Sequence, residues 1–104
     1  MSNNYLLVYH GGSMPETQEE QARVMQAWTD WFGTLGDALV DGGNPVSQSR
    51  TIGIGGAVSD TSNGATGYSI IKADSLAKAV ELAKGCPVLG GGASVEVAET
   101  FAVM

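Results

Sequence analysis

Basic residues are scarce in this chain of 104 residues, which has five lysines and arginines against eleven aspartates and glutamates and a net charge of −6. The five are scattered, so no basic stripe is available to neutralise phosphates. We therefore expect no nucleic-acid partner and no acidic membrane partner. The single cysteine, Cys86, excludes an internal disulfide, and we expect a cytoplasmic protein.

Long apolar runs are also absent. No segment is long enough to cross a bilayer, and the first ten residues have neither the basic start nor the apolar stretch of a secretion signal. One histidine and one cysteine offer no spacing for a transition metal, so we expect no metal and no cofactor. The Gly53–Gly56 run lacks the third glycine and the following helix of a dinucleotide fingerprint. Length and composition indicate one globular domain over residues 1–104.

The segment Gly67–Pro87 predicts a strand followed by a capped helix. Tyr68–Ile71 is a short β-favouring run, and Asp74 is the expected N-cap. An apolar stripe follows at helical spacing, formed by Leu76, Ala79, Val80 and Ala83. Gly85 is expected to adopt the left-handed conformation beyond the helix end, and Pro87 forbids continuation.

A first helix, a second strand and a last strand complete the predicted elements. Two overlapping capping boxes, Ser13–Glu16 and Thr17–Glu20, precede a helix whose apolar stripe extends to Leu39. Arg50–Val58 is predicted as the second strand, with its glycines as bulges or edge positions. Ser94–Glu99 alternates cleanly between apolar and polar residues and is predicted as the last strand.

The first strand, Tyr5–His10, is apolar on both faces, unlike a half-solvated antiparallel strand. The order β-α-β-β-α-β is the ferredoxin-like plan of an α+β protein, with two helices on one face of a four-stranded antiparallel sheet. Two helices cover only one face of that sheet. The other face therefore predicts a second subunit, and we expect the partner to be the chain itself, as a homodimer or higher homo-oligomer.

Six segments form a pattern that covers nearly the whole chain: Tyr5–Tyr9, Trp28–Phe32, Gly67–Tyr68, Asp74–Leu76, Gly85–Pro87 and Ser94–Val97. Together they resemble the YCII-related family. The resemblance implies a dimeric α+β barrel in which two sheets face each other, with relatives similar to small isomerases, dehydrochlorinases and monooxygenases. One branch of that family has a histidine early in its first helix, and the matching region here, Arg23–Gln26, has none.

His10, the only histidine, follows the predicted central strand and is a candidate general acid–base. With the first and third strands taken as parallel, His10 is expected near Lys72, and also near Ser94 of the last strand. Glu96 on that strand is the expected orienting partner. The alternative is a histidine at a strand end that only hydrogen-bonds a backbone group.

Aromatic residues suggest a second candidate site. Trp28, Trp31 and Tyr68 are candidates to line a ligand pocket between helix and sheet, although tryptophans at helical spacing are more often core residues. Cys86 follows a helix C-terminus, where the helix dipole disfavours a thiolate, so a structural role is preferred to a nucleophilic one.

Two functions are compatible with these residues. The preferred one is a dimeric module that binds a small organic ligand, with aromatic compounds among the candidates. The alternative is a cofactor-free enzyme of the lyase or isomerase type, with His10 as its general acid–base. The candidate ligand contacts are Trp28, Trp31, Tyr68, Lys72, Ser94 and Glu96.

Overall fold

The computed structural model describes residues 3–12 and 15–103. Within these residues the chain forms β1 (Asn3–Gly11), α1 (Gln18–Leu35), β2 (Leu39–Asp41), β3 (Arg50–Ile52), β4 (Val58–Asp60), β5 (Ala65–Ala73), α2 (Leu76–Ala83) and β6 (Ala93–Glu99). Short 3₁₀ turns at Gly36–Ala38 and Pro87–Gly91 precede β2 and β6.

Four of the strands form one sheet in the spatial order β2-β5-β1-β6, and every neighbouring pair is antiparallel. The remaining strands, β3 and β4, pair only with each other. The prediction of an α+β protein with two helices and a four-stranded antiparallel sheet is confirmed. The arrangement is consistent with a ferredoxin-like fold.

The core lies on one face of the sheet because successive strand residues point to opposite sides. On β1, Tyr5, Leu7 and Tyr9 are buried, and α1 and α2 pack against them. The helices contribute four buried side chains to the same cluster, Trp31, Leu35, Ala79 and Ala83. Both helices therefore cover this face.

The opposite face, which we call the open face, consists of alternate residues of the three longest strands. They are Leu6, Val8, His10, Tyr68, Ile70, Lys72, Ser94, Glu96 and Ala98. The Cα atoms span 44 × 42 × 18 Å, and the shortest dimension matches one sheet with one layer of helices. Within the described residues, no element covers the open face.

The first helix begins at the second of the two predicted capping boxes. The Thr17 Oγ1 accepts a hydrogen bond from the Glu20 N–H at 3.1 Å. The other box, Ser13–Glu16, includes Ser13 and Met14, which lie outside the described residues. The helix ends at Leu35 rather than near Leu39, because Gly36 turns the chain with a φ of +53°.

The caps of α2 differ from the prediction. Ser75, not Asp74, is the N-cap, and its Oγ accepts a hydrogen bond from the Lys78 N–H at 3.1 Å. Gly85 was expected to have a positive φ, but it does not. Its missing side chain serves close packing instead, because a Cβ there would lie 3.1 Å from Cδ1 of Trp31.

The prediction that Arg50–Val58 forms the second strand of the sheet is wrong. The sheet takes β2 as its second strand, and Arg50–Asp60 instead folds back on itself as a separate hairpin, which we call the arm. The reversal occurs at Gly55 and Gly56, both with a φ of +94°, a conformation that glycine adopts without steric cost. The glycines therefore make a turn and not strand bulges.

The expected proximity of His10 and Lys72 is also wrong. The first and third strands of the sheet, β1 and β5, are antiparallel, so Lys72 pairs with Asn4 and His10 pairs with Ala65. Six residues of extended chain separate Asn4 from His10, a distance of about 20 Å. The two candidate residues share the open face but lie at its opposite ends.

Candidate functional site

His10 lies at one end of the open face and has a partner at each ring nitrogen. The Nδ1 atom is 2.9 Å from the carbonyl oxygen of Asn63, and Nε2 is 3.1 Å from Oε1 of Glu96. Ser94 is directly opposite His10 on β6. The structure thus brings His10, Ser94 and Glu96 together.

Both partners of His10 are hydrogen-bond acceptors. A carbonyl oxygen and a carboxylate cannot donate, so only an imidazole protonated on both nitrogens satisfies the two contacts at once. The hydrogen bond with Glu96 is the main cause that raises the pKa of His10 above its ordinary value, and the Asn63 carbonyl adds to it, while partial burial opposes both. The site therefore favours the imidazolium form.

These two contacts limit what His10 can do chemically. A general base needs a free lone pair on nitrogen, and an imidazolium has none. The side chain of His10 is 18% exposed and that of Glu96 is 61% exposed, so the outer carboxylate is the group that an incoming ligand meets first. An anionic ligand that displaced Glu96 would find a positively charged N–H donor.

The His10 contacts predict a specific pH dependence of stability. Because the folded-state pKa of His10 is raised above the unfolded value of about 6.5, its contribution to the free energy of unfolding is fully present below that pH. The contribution is lost as the pH rises through the folded-state pKa. We expect Glu96→Gln to remove most of this loss, measured by denaturant unfolding at a series of pH values from about 6 to about 9.

A matched control is available on α2. Glu81 contacts Lys84 at 3.0 Å in an exposed pair, so Glu81→Gln makes the same chemical change far from any histidine. It should leave the difference in unfolding free energy between the two ends of the pH range unchanged. An NMR-measured pKa of His10 at or below about 6.5 would contradict the interpretation.

The three candidate aromatic residues do not form one pocket. Trp28 and Trp31 lie on the helix-covered side, where their rings contact each other, Tyr9 and Phe32 with centroid distances of 5.5 to 5.7 Å. Tyr68 points to the open face opposite Val8, with its hydroxyl 3.3 Å from Nδ2 of Asn44. Trp31 is a core residue, and Tyr68 is the aromatic residue of the three that an open-face ligand would contact.

Cys86 is buried in the same core cluster as Tyr9. The Tyr9 hydroxyl donates to Oγ of Ser69 at 2.7 Å, and Ser69 donates to the carbonyl of Gly42 at 2.8 Å. Burial raises the pKa of the Cys86 thiol and also that of Tyr9. A buried neutral thiol is a poor nucleophile, which favours the structural role.

Lys72 lines a different feature, an open cleft of about 290 Å³ at the end of the sheet far from His10. The cleft lies between the Gly36–Ala38 turn, the end of β5 and α2. Its charged lining residues are Asp37, Lys72, Asp74 and Lys78. A ligand held by His10 and Glu96 would therefore not reach this cleft unless it were about 20 Å long.

Neither a metal site nor a membrane segment is found in the described part of the chain. Residues 3–12 and 15–103 contain no cluster of three or more histidine, cysteine or carboxylate side chains suited to a metal ion. Neither helix in these ranges combines the length and the apolar character that a membrane crossing requires.

Comparison with protein-family models and with curated proteins found no match to this chain.

One partner of His10 could not be assigned from its residue type. Asn63 contributes its backbone carbonyl, and it is the non-glycine residue with a positive φ in the described chain, at +49°. The Asn63-Gly64 pair is a typical turn sequence, which indicates a reversal there. It does not indicate which carbonyl would face the histidine.

Proposed function

We propose that this protein is a homodimeric module that binds a small organic ligand on the open face of its sheet. The observation that supports the proposal is the composition of that face. Its centre is apolar, with Leu6, Val8 and Ile70, and one end carries the ionisable pair His10 and Glu96. Ligand sites commonly combine an apolar lining with a few placed polar groups in this way.

Dimerisation would convert an open surface into an enclosed one. Two sheets that pack face to face lie about 10 Å apart, and side chains from both then line the space between them. This is the arrangement implied by the resemblance to the YCII-related family, and it would cover Leu6, Val8 and Ile70. The pair of His10 and Glu96 would then border the enclosed space in each copy.

The geometry at His10 favours binding over proton abstraction. A ligand carboxylate that displaces Glu96 would bind the charged N–H of His10, and Tyr68 on the same face offers an aromatic surface. The enzymatic alternative, with His10 as general acid–base, would require the ring to release one of these two contacts, because a base needs a free lone pair on nitrogen. We therefore favour an aromatic carboxylate as the ligand class.

The proposal is tested by measuring mass and binding together. Light scattering should give twice the 10.7 kDa of the chain. Titration with benzoate should shift the NMR signals of the His10 and Tyr68 rings, whereas the indole signal of Trp31, on the other side of the sheet, should not move. A protein that stays monomeric, or open-face signals that ignore benzoate at millimolar concentration, would refute the proposal.

Two further compounds show which part of benzoate is recognised. Acetate keeps the carboxylate and lacks the ring, whereas benzyl alcohol keeps the ring and lacks the charge. If both groups contribute, each compound should bind more weakly than benzoate. In His10→Gln the advantage of benzoate over benzyl alcohol should disappear.

A further inference from the structure

The arm, Arg50–Asp60, has apolar side chains that nothing else in the described chain covers. Ile52 is 70% exposed, Val58 is 57% exposed, and Ile54 at the turn is fully exposed. Ile52 pairs with Val58, so these two point to the same face of the hairpin, while Thr51 and Ser59 pair on the other. The arm therefore has one largely apolar face, with the Arg50–Asp60 ion pair at its base, and one polar face.

A hairpin of this kind needs support from outside itself. Each strand of the arm has three residues, and an isolated two-stranded hairpin is at best marginally stable in water. At its base, the hydroxyls of Thr51 and Thr61 are hydrogen-bonded to each other at 2.7 Å. Beyond that base, the arm extends without covering any apolar surface of its own chain.

We propose that the arm of each copy packs its apolar face along the border of the open face of a second copy, so that two arms close the sides of the space between the facing sheets. This rests on the proposed homodimer and adds the segment that completes it. The contact is self-complementary, because each chain supplies one arm and one open face, as a twofold dimer requires.

The exposed surface area of the single chain supports a second copy of the chain as the partner that covers the arm and the open face. The chain exposes 7263 Å², whereas a compact monomer of its mass exposes about 5,500 Å². The excess is well above the roughly 800 Å² that each partner buries in a standard interface. The radius of gyration, 15.1 Å, likewise exceeds the value of about 13 Å expected for a compact chain of this length.

Position and charge also suit this contact. Asn63, which follows the arm, accepts the hydrogen bond from His10 on the open face. The base of the arm therefore lies at the border of that face. Five residues from its base to its tip span about 16 Å, similar to the width of a four-stranded sheet. Arg50 and Asp60 are the only charged residues of the arm, so it adds no net charge to an encounter between two acidic chains.

The test compares two substitutions that add the same charge to the arm, one at its apolar tip and one on its polar face. Ile54→Asp should raise the dimer dissociation constant, measured by analytical ultracentrifugation, by about ten- to a hundredfold, because an apolar contact is lost. Ser59→Asp, on the polar face, should leave it within about threefold. The unfolding free energy of the monomer should not change in Ile54→Asp, since Ile54 is fully exposed in the single chain.

A second measurement locates the arm directly. A chain carrying Ile54→Cys with a nitroxide label is mixed with ¹⁵N-labelled wild-type chain. The nitroxide is expected to broaden the amide NMR signals of Leu6, Val8 and Ile70 in the ¹⁵N-labelled wild-type copy. If the wild type dimerises but neither broadening nor an effect of Ile54→Asp is seen, the arm proposal is wrong and the dimer stands. If the wild type is a monomer at every concentration, both proposals are wrong.

Discussion

Trp31→Ala should lower the free energy of unfolding by about 3–5 kcal/mol, a large part of the total stability of a domain of this size. The side chain of Trp31 is 5% exposed and lies between the two helices. Its indole N–H donates to the Leu82 carbonyl at 3.2 Å, and its ring contacts Gly85. The substitution would leave a large cavity where α1, α2 and the sheet meet.

The loss should come from packing and not from the hydrogen bond. The Leu82 carbonyl also accepts from the Gly85 N–H at 3.3 Å, so it keeps a partner when the indole is removed. Trp31→Phe, which retains a ring but no N–H, should therefore cost much less than Trp31→Ala. Trp28→Ala should also cost less, because Trp28 is only partly buried. Denaturant unfolding followed by far-UV circular dichroism gives all three values.

A loss of under about 1 kcal/mol for Trp31→Ala would contradict the packing described here. So would an equal loss for Trp31→Ala and Trp31→Phe. In that case the indole N–H, and not the volume of the ring, would be the feature that joins the two helices.

Periodicity predicted the central strands because their apolar positions follow one geometry from end to end. It also predicted the second helix, but of that stripe only Ala79 and Ala83 are buried, whereas Leu76 and Val80 are exposed. The alternation of Tyr5, Leu7 and Tyr9 matches the buried face of β1. Val95 and Val97 pack against the same core, as the alternation in the last strand predicted. The His10–Glu96 contact also follows from alternation, since their strands pair with both residues on the open face.

The first helix was predicted to be too long because helical spacing continued past its real end. Leu39 follows Leu35 at a helical interval, yet it lies in β2. Gly36 was the available signal, since glycine commonly occupies the position just after a helix. Conversely, Met25 fits the apolar stripe but is 68% exposed, and residues 18–26 of the helix are exposed throughout. Spacing alone does not show where a neighbouring element ends.

The error at Lys72 arose from strand direction and not from residue type. In the β-α-β-β-α-β order each helix connects two parallel strands, so the first and third strands run in opposite directions. Lys72 therefore lies beside Asn4 and the cleft, not beside His10. The arm was mistaken for a strand although two adjacent glycines between short apolar runs are a typical hairpin signal.

Gly43→Ala should lower the free energy of unfolding more than any other glycine-to-alanine substitution in the described chain. Gly43 has a φ of +77°, and a Cβ at that position would lie 1.6 Å from the carbonyl oxygen of Tyr68. This oxygen belongs to the backbone of β5, so it cannot move without shifting the strand. We expect a loss of about 4 kcal/mol or more in the free energy of unfolding, or a chain that fails to fold.

Two other glycines separate the causes of that loss. Gly92 also has a positive φ, +85°, but a Cβ there would meet nothing within 4 Å, so Gly92→Ala should cost about 1–2 kcal/mol from backbone strain alone. Gly33 is helical with open space around it, and Gly33→Ala should stabilise the protein by about 0.5–1 kcal/mol. If Gly43→Ala and Gly92→Ala proved equally costly, the close approach of Gly43 to β5 would be refuted. A much larger cost at Gly43 would show that the chain after β2 packs directly against the backbone of β5. The neighbouring residue supports this packing, because the carbonyl of Asn44 accepts a hydrogen bond from the Tyr68 N–H at 3.3 Å.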